Sequence, residues 1–222
     1  MNWHGDKGAT FLQRFSALFA ITITVFLLAG CGRVPTLSDR DADIYTQLHK
    51  KFSRMEAYSA TVKLTVRSNK TENTYTMTQK VKSPDQAVVT LKEPASLAGV
   101  TTVFSGDFVS VSADGEARPL QVSAREAVNP LLLTDFFAMY YQSEDTALSV
   151  SASPDSQGTI LLETALIPDT SERYKMSLLC DANKLEPKTL TVYDVGGNIR
   201  MIAVFSDFSY NPPLDASLFV LP

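Results

Sequence analysis

The chain has 222 residues, of which 20 are lysine or arginine, 24 are aspartate or glutamate, and 45% are hydrophobic. This composition is typical of a globular protein and excludes a disordered or fibrous chain. A formal net charge of -4 provides no basic field for a phosphate backbone, so no nucleic-acid partner is predicted. Two cysteines and two histidines are too few for a metal cluster built from thiolates and imidazoles.

The N-terminal thirty residues have the pattern of a cleaved signal peptide. Lys7 and Arg14 precede an uncharged run, residues 15–30. The run is short for a transmembrane helix and has the length of the apolar core of a signal peptide. We therefore expect residues 1–30 to be removed from the mature protein.

The end of this run resembles the lipobox of bacterial lipoproteins, with Leu28, Ala29, Gly30 and Cys31 in succession. The resemblance implies cleavage before Cys31 and a covalent diacylglycerol on its sulfur; no other cofactor is expected. Because two acyl chains anchor a protein stably, we expect the protein on the outer face of the cell membrane, or on an outer membrane if the organism has one. Residues 31–38 would be the lipidated cysteine and a tether of about 20 Å.

A single domain is predicted over residues 39–222, and it begins with an amphipathic helix. Ile44, Leu48, Phe52 and Met55 recur at helical spacing after an N-cap signal, which predicts a helix over residues 39–56. Basic residues near its end complement the helix dipole and are otherwise typical of a solvated face.

The hydrophobic period then changes to two, which predicts antiparallel strands. In the first of them Tyr58, Ala60 and Val62 face one way, and Thr61 and Lys63 face the other. Eleven strands are predicted, over residues 58–67, 74–82, 86–92, 100–104, 108–113, 117–122, 147–152, 159–166, 173–180, 188–193 and 199–208. An array of this size with one apolar face must close into a barrel or curl around a covering element.

A second helix interrupts the strands and is apolar around most of its circumference. Asn129 and Pro130 are typical of a helix start, and the helix is predicted over residues 131–141. Its apolar side chains, which form the predicted lid over an apolar cavity, are Leu132, Leu133, Phe136, Phe137, Met139, Tyr140 and Tyr141. Such a helix must be inserted into the sheet, and the pattern leaves open whether it covers a cavity or completes the core.

The sequence offers no arrangement of catalytic or metal-binding side chains. His49 lies on the polar side of the first helix, and Cys180 ends an apolar strand, where it is typical of a small buried hydrophobe. Carboxylates such as Asp107, Asp181 and Asp194 lie in turns, where local backbone hydrogen bonds favour them. We therefore predict that the protein is not an enzyme.

Two C-terminal segments, residues 193–198 and 205–222, are similar to the C-terminus of the LolA/LolB superfamily of lipoprotein carriers. The first is a turn from Asp194 to Asn198 between two strands, and the second contains Asn211 and Asp215. Residues 136–137 and 140–145, together with the lipobox, look most like the GerS type of clostridial spore germination lipoprotein. The resemblance extends over most of the mature chain in strand order.

The resemblance implies a mainly β fold of the α+β class. In that fold an unclosed barrel of about eleven antiparallel strands wraps around a helical lid and follows an N-terminal amphipathic helix. The carriers hold the lid with a basic side chain, and Arg67 is the only charged candidate on the early strands, although alternation places it opposite the apolar face.

Two functions remain open. The GerS type implies a membrane-anchored protein without chemistry of its own, which binds and activates a cell-wall N-acetylmuramoyl-L-alanine amidase of the spore cortex. The carriers imply instead a carrier or acceptor of lipoproteins or other acylated ligands in an apolar cavity. The free edges of an unclosed sheet also allow strand exchange, so a homodimer stays open.

Overall fold

One antiparallel sheet organises the molecule. The computed structural model describes residues 39–113, 116–121, 132–142, 147–151, 158–164 and 175–221, all within the unit Asp39–Pro222. The described residues form two α-helices and eleven strands: α1 Asp39–Ser53, β1 Ala57–Arg67, β2 Glu72–Lys82, β3 Gln86–Glu93, β4 Thr101–Ser105, β5 Phe108–Ala113, β6 Glu116–Gln121, α2 Leu133–Gln142, β7 Ala147–Ser151, β8 Thr159–Glu163, β9 Lys175–Asp181, β10 Glu186–Tyr193 and β11 Ile199–Tyr210. They also form two short 3-10 helices, Ala95–Leu97 and Ala216–Phe219.

The strand order is β6-β5-β4-β3-β2-β1-β11-β10-β9-β8-β7, and each neighbouring pair is antiparallel. Strand β1 joins the two halves, because it pairs with β2 on one side and with β11 on the other. Strands β6 and β7 lie at opposite ends of this order, so the barrel is unclosed. The predicted fold, with its eleven strands, is confirmed.

The inner face of the sheet carries the core, as the period-two pattern predicts. In β1, Tyr58, Ala60, Val62 and Leu64 are all buried, whereas Lys63 between them is exposed. The largest fully buried side chains include Tyr58, Phe136, Leu48, Leu133, Ile160, Met176, Leu178 and Leu190. Because each buried aliphatic or aromatic side chain contributes about 1.5–3 kcal/mol, the sheet is stabilised by curling around the helices.

A bulge in β11 allows two phenylalanines at odd spacing to reach the inner face. Asp207 and Phe208 together oppose the single residue Ala60 of β1. Asp207 has a φ of 50°, a conformation that aspartate tolerates better than bulky residues. Phe205 is therefore buried, and Phe208 stacks on the Tyr58 ring at a centroid distance of 5.5 Å.

Helix α1 packs Leu48 and Phe52 into the core, with exposed fractions of 1% and 5%. It ends at Ser53, three residues before the predicted end at Glu56. The prediction was wrong here because the backbone N–H of Glu56 donates to the side-chain oxygen of Asn211 and not to a helical carbonyl.

Asn211 holds the connection between α1 and β1. Its Oδ1 accepts the N–H groups of Glu56 and Ala57 at 2.8 and 3.0 Å, and its Nδ2 donates to the carbonyl of Arg54 at 3.0 Å. Its own φ is 47°, in the left-handed region that asparagine tolerates. This C-terminal motif residue therefore has a structural role.

We expect Asn211→Ala to lower the free energy of unfolding by about 2–3 kcal/mol, because three hydrogen bonds are lost and alanine is strained at positive φ. Urea unfolding of the unit Asp39–Pro222 measures this change. Asn211→Gly is the matched control, since glycine removes the strain but restores no hydrogen bond, and it should cost about 1 kcal/mol less. Equal costs for the two variants would contradict the assignment of strain.

The C-terminal 3-10 helix covers part of the outer face. Asp215 caps it by accepting the N–H of Ser217 at 2.9 Å, and the helix lies against β3 and β4. Phe219 and Val88 are both buried outside the main cluster of core residues. The convex side of the sheet is thus partly apolar where the chain ends.

Candidate functional site

The predicted lid is a helix buried between the inner face of the sheet and α1. Leu133, Phe136, Phe137 and Tyr140 form one stripe at helical spacing, and all four are buried. The exposed fractions are 0% for Leu133 and Phe136, 7% for Phe137 and 6% for Tyr140. This stripe makes α2 a part of the core in the structure.

The other predicted lid residues differ from one another. Leu132 is 6% exposed and belongs to the core cluster, and Met139 is partly buried against it. Tyr141 is 48% exposed, although its ring lies 5.9 Å from the ring of Phe137. The reason is that the sheet and α1 together leave one side of α2 in solvent, where Ala138 and Gln142 also lie. The predicted helix start at Asn129 and Pro130 lies outside the described residues.

Aromatic rings join α2 to α1. The rings of Phe52 and Phe137 lie 4.3 Å apart between centroids, and His49 meets the edge of Tyr141 at 5.3 Å. Aromatic pairs of this kind add about 0.5–1.5 kcal/mol each beyond the area they bury. His49 is exposed, so α1 covers α2 with Phe52 and leaves the imidazole at the surface.

A tyrosine hydroxyl connects the start of α2 to the sheet. The Tyr58 Oη atom donates to Oε1 of Gln79 at 3.0 Å, and it accepts the backbone N–H of Leu133 at 3.2 Å. Tyr58 and Gln79 are 0% and 1% exposed. We call this arrangement the Tyr58 latch, because it joins β1, β2 and the first turn of α2.

Burial raises the pKa of the Tyr58 hydroxyl, since a phenolate there would lose its hydration. The hydrogen bond from the N–H of Leu133 lowers this pKa, and the nearby carboxylate of Asp135 raises it further. The hydroxyl therefore stays protonated and keeps its donor for Gln79.

We expect Tyr58→Phe to lower the free energy of unfolding by about 1–3 kcal/mol, because the Leu133 N–H and the Gln79 oxygen lose a buried partner. Tyr75→Phe is the matched control: Tyr75 packs partly buried on β2, and the change should stay within about 0.5 kcal/mol. Urea unfolding compares the two, and equal costs would show that the latch stabilises nothing.

The basic candidate for a lid contact, Arg67, does not reach the helix. It is exposed and pairs with Glu72 through Nε and Oε2 at 2.7 Å. The contact between the sheet and α2 is made instead by Tyr58, supported by Gln79. The sequence pattern predicted Tyr58 as a core residue and did not single out Gln79. The available signal was a polar Gln79 at an inward position between Met77 and Val81.

The carboxylate and thiol side chains that could take part in catalysis have structural roles instead. Asp194 accepts the N–H groups of Gly196 and Asn198, both at 2.9 Å, and it pairs with Arg200. Cys180 is fully buried, and burial, with a smaller effect from Asp181, raises the pKa of its thiol. Cys180 is therefore a core residue and not a reactive nucleophile.

Asp181, a second turn carboxylate, accepts the N–H groups of Asn183 and Lys184 at 2.9 Å and pairs with Lys188 at 3.0 Å. These contacts close the turn between β9 and β10. Among the described residues there is no cluster of three or more side chains suited to a metal ion. In the same part of the chain, the helices are too short or too polar to span a membrane.

Next to the start of α2 lies a cavity of about 220 Å³ that opens to solvent. Leu132, Thr134 and Asp135 line it from the helix side. Pockets that hold drug-sized ligands are larger, about 300–1,000 Å³. In this arrangement α2 packs on the inner face of the sheet as part of the core.

A family model described as Sporulation protein YdcC-like matches residues 13–219. No curated protein matches the chain.

Solved structures that are similar include the complex of the CwlD amidase with the GerS lipoprotein from Clostridioides difficile, in which the GerS chain is 24% identical. The match covers 80% of this chain and 100% of that one, with a TM-score of 0.45. A LolA superfamily protein from Nitrosomonas europaea is 15% identical over 81% of this chain and 96% of its own, with a TM-score of 0.42. An uncharacterized conserved protein from Thermus thermophilus is 14% identical over 82% and 93%, with a TM-score of 0.49.

Proposed function

We propose that this chain, which belongs to the YdcC-like family of sporulation proteins, is a membrane-anchored binding protein that holds a cell-wall N-acetylmuramoyl-L-alanine amidase during spore formation. It would contribute no catalytic group of its own. Its task would be to bind the enzyme and support its activity at the outer face of a membrane.

The family and the sequence resemblance to the GerS type support an amidase as the partner. The family is one of sporulation proteins, and the matched residues 13–219 include the segments that carry the resemblance except for the last three residues. In the complex from Clostridioides difficile it is the GerS lipoprotein that binds the CwlD amidase. An amidase is therefore the first partner to test for this chain.

One observation favours a binding surface over a carrier. Helix α2 lies in the concave side of the sheet with Phe136 fully buried and the Tyr58 latch closed, and the cavity beside it is small. A carrier would have to expel this helix and lose its buried aromatic contacts before accepting an acyl chain. A partner that binds the outside of the domain has no such cost.

The proposal is tested by recovering the tagged full chain from sporulating cells in mild detergent and identifying what accompanies it. We expect an amidase in stoichiometric amount and, by mass spectrometry, no stoichiometric lipid apart from the predicted covalent diacylglycerol on Cys31. The matched control bait carries the same residues 1–38 on an unrelated domain. Recovery of bound lipid without an amidase would overturn the proposal and support the carrier function, whose ligand Phe137→Ala should then release.

A further inference from the structure

The cavity beside α2 has an apolar floor made by three neighbouring strands and the helix start. Val81 pairs with Ala87, and Ala87 pairs with Phe104, so the three side chains stand in one row on the inner face. Leu132 completes the floor from the helix side. A surface of this kind suits the aliphatic part of a side chain better than a wholly polar ligand.

Three carboxylates stand around this floor. Asp85 lies in the turn between β2 and β3, Asp107 in the turn between β4 and β5, and Asp135 in the first turn of α2. Among the described residues that line the cavity there is no lysine, arginine or histidine. In the part of the chain that the structure describes, Asp85 and Asp107 form no ion pair. Their negative charges therefore favour a cation from outside.

The two turns that carry Asp85 and Asp107 are fixed against each other. The N–H of Gly106 donates to the carbonyl of Asp85 at 3.1 Å. Gly106 has a φ of 56°, which the two-residue turn between Ser105 and Phe108 requires and which a larger residue would oppose. The carboxylates thus stand on a preformed rim, which reduces the entropy lost on binding.

We infer that this pocket receives one lysine or arginine side chain of a protein partner. The aliphatic stem of that side chain would lie on the floor of Val81, Ala87 and Phe104, and its cationic head would reach the carboxylates of Asp85 and Asp107. The volume of about 220 Å³ suits one long side chain. The identity of the partner as an amidase rests on the proposed function, but the charge preference of the pocket does not.

The charge preference is tested on the ¹⁵N-labelled full chain in nonionic detergent micelles, titrated with Nα-acetyl-lysine-N-methylamide. We expect saturable shifts of the backbone amide signals of Ala87, Gly106 and Thr134. The neutral norleucine analogue, which has the same stem without the charge, should bind at least fivefold more weakly. Shifts of equal size with both compounds, or no saturable shift, would overturn the inference.

Paired variants separate the pocket from the rest of the surface. Asp85→Asn with Asp107→Asn should weaken binding of the lysine compound at least fivefold, whereas the control Asp43→Asn on α1 should leave it unchanged. The same double variant should weaken binding of the purified amidase tenfold or more. If the unaltered chain binds no amidase, the proposed function fails, and the lysine titration alone decides the pocket. If the amidase binds both forms equally, the pocket is not its contact and the inference fails.

Discussion

Phe136→Ala is expected to lower the free energy of unfolding by about 3–5 kcal/mol, the range for removing a buried phenylalanine from a packed core. Phe136 is 0% exposed, stacks on Tyr140 at 5.8 Å and meets the edge of Phe137 at 5.2 Å. For a domain of this size the midpoint of thermal unfolding should fall by roughly 10 °C. Calorimetry and urea unfolding of the unit Asp39–Pro222 measure both quantities.

The control is Tyr141→Ala on the same helix, which should cost less than about 1 kcal/mol because Tyr141 is half exposed. The contrast decides whether α2 is core or a loosely held lid. If Phe136→Ala costs no more than Tyr141→Ala, α2 spends much of its time away from the sheet, and the carrier function regains support.

Cys31→Ala is expected to abolish membrane attachment, since the lipobox residues would then offer no sulfur for the diacylglycerol. The loss should be nearly complete, because each buried methylene of the anchor contributes about 0.8 kcal/mol and no other anchor is predicted. Detergent phase partitioning of cells producing the tagged protein measures the distribution.

Cys180→Ala is the matched control, because Cys180 is the other cysteine of the chain and lies in the core. This variant should partition with the detergent like the unaltered protein. If Cys31→Ala also stays in the detergent phase, a part of the chain other than the lipid on Cys31 holds this variant at the membrane, and the expected loss of attachment is contradicted.

The period-two pattern predicted the sheet well, because each strand has one face in the core and one in solvent. In β1 the alternation of Tyr58, Ala60 and Val62 with polar neighbours holds residue by residue. The role of Asp194 was also predictable from its neighbours in sequence, because it accepts backbone N–H groups of its own turn. Local patterns succeed where the physical cause lies within a few residues.

Features that depend on contacts between distant parts of the chain could not be predicted from the sequence pattern. Helix α1 ends early because Asn211, more than 150 residues away in sequence, takes the next backbone donors. The bulge at Asp207 and the exposure of Tyr141 depend in the same way on neighbours brought together by folding. The cavity rim is likewise invisible in sequence, because Asp85, Asp107 and Asp135 come from separate elements.

The Tyr58 latch consists of a phenol, a carboxamide and a backbone amide, all without formal charge. Mobile counter-ions weaken a guanidinium or ammonium contact by screening its charge, but they do not screen hydrogen bonds between uncharged groups to the same extent. Charge screening should therefore not weaken the contribution of the Tyr58 latch to the closed position of α2, in dilute buffer or in molar electrolyte. A change in the ionic strength around the protein would thus leave this hydrogen-bonded contact in place.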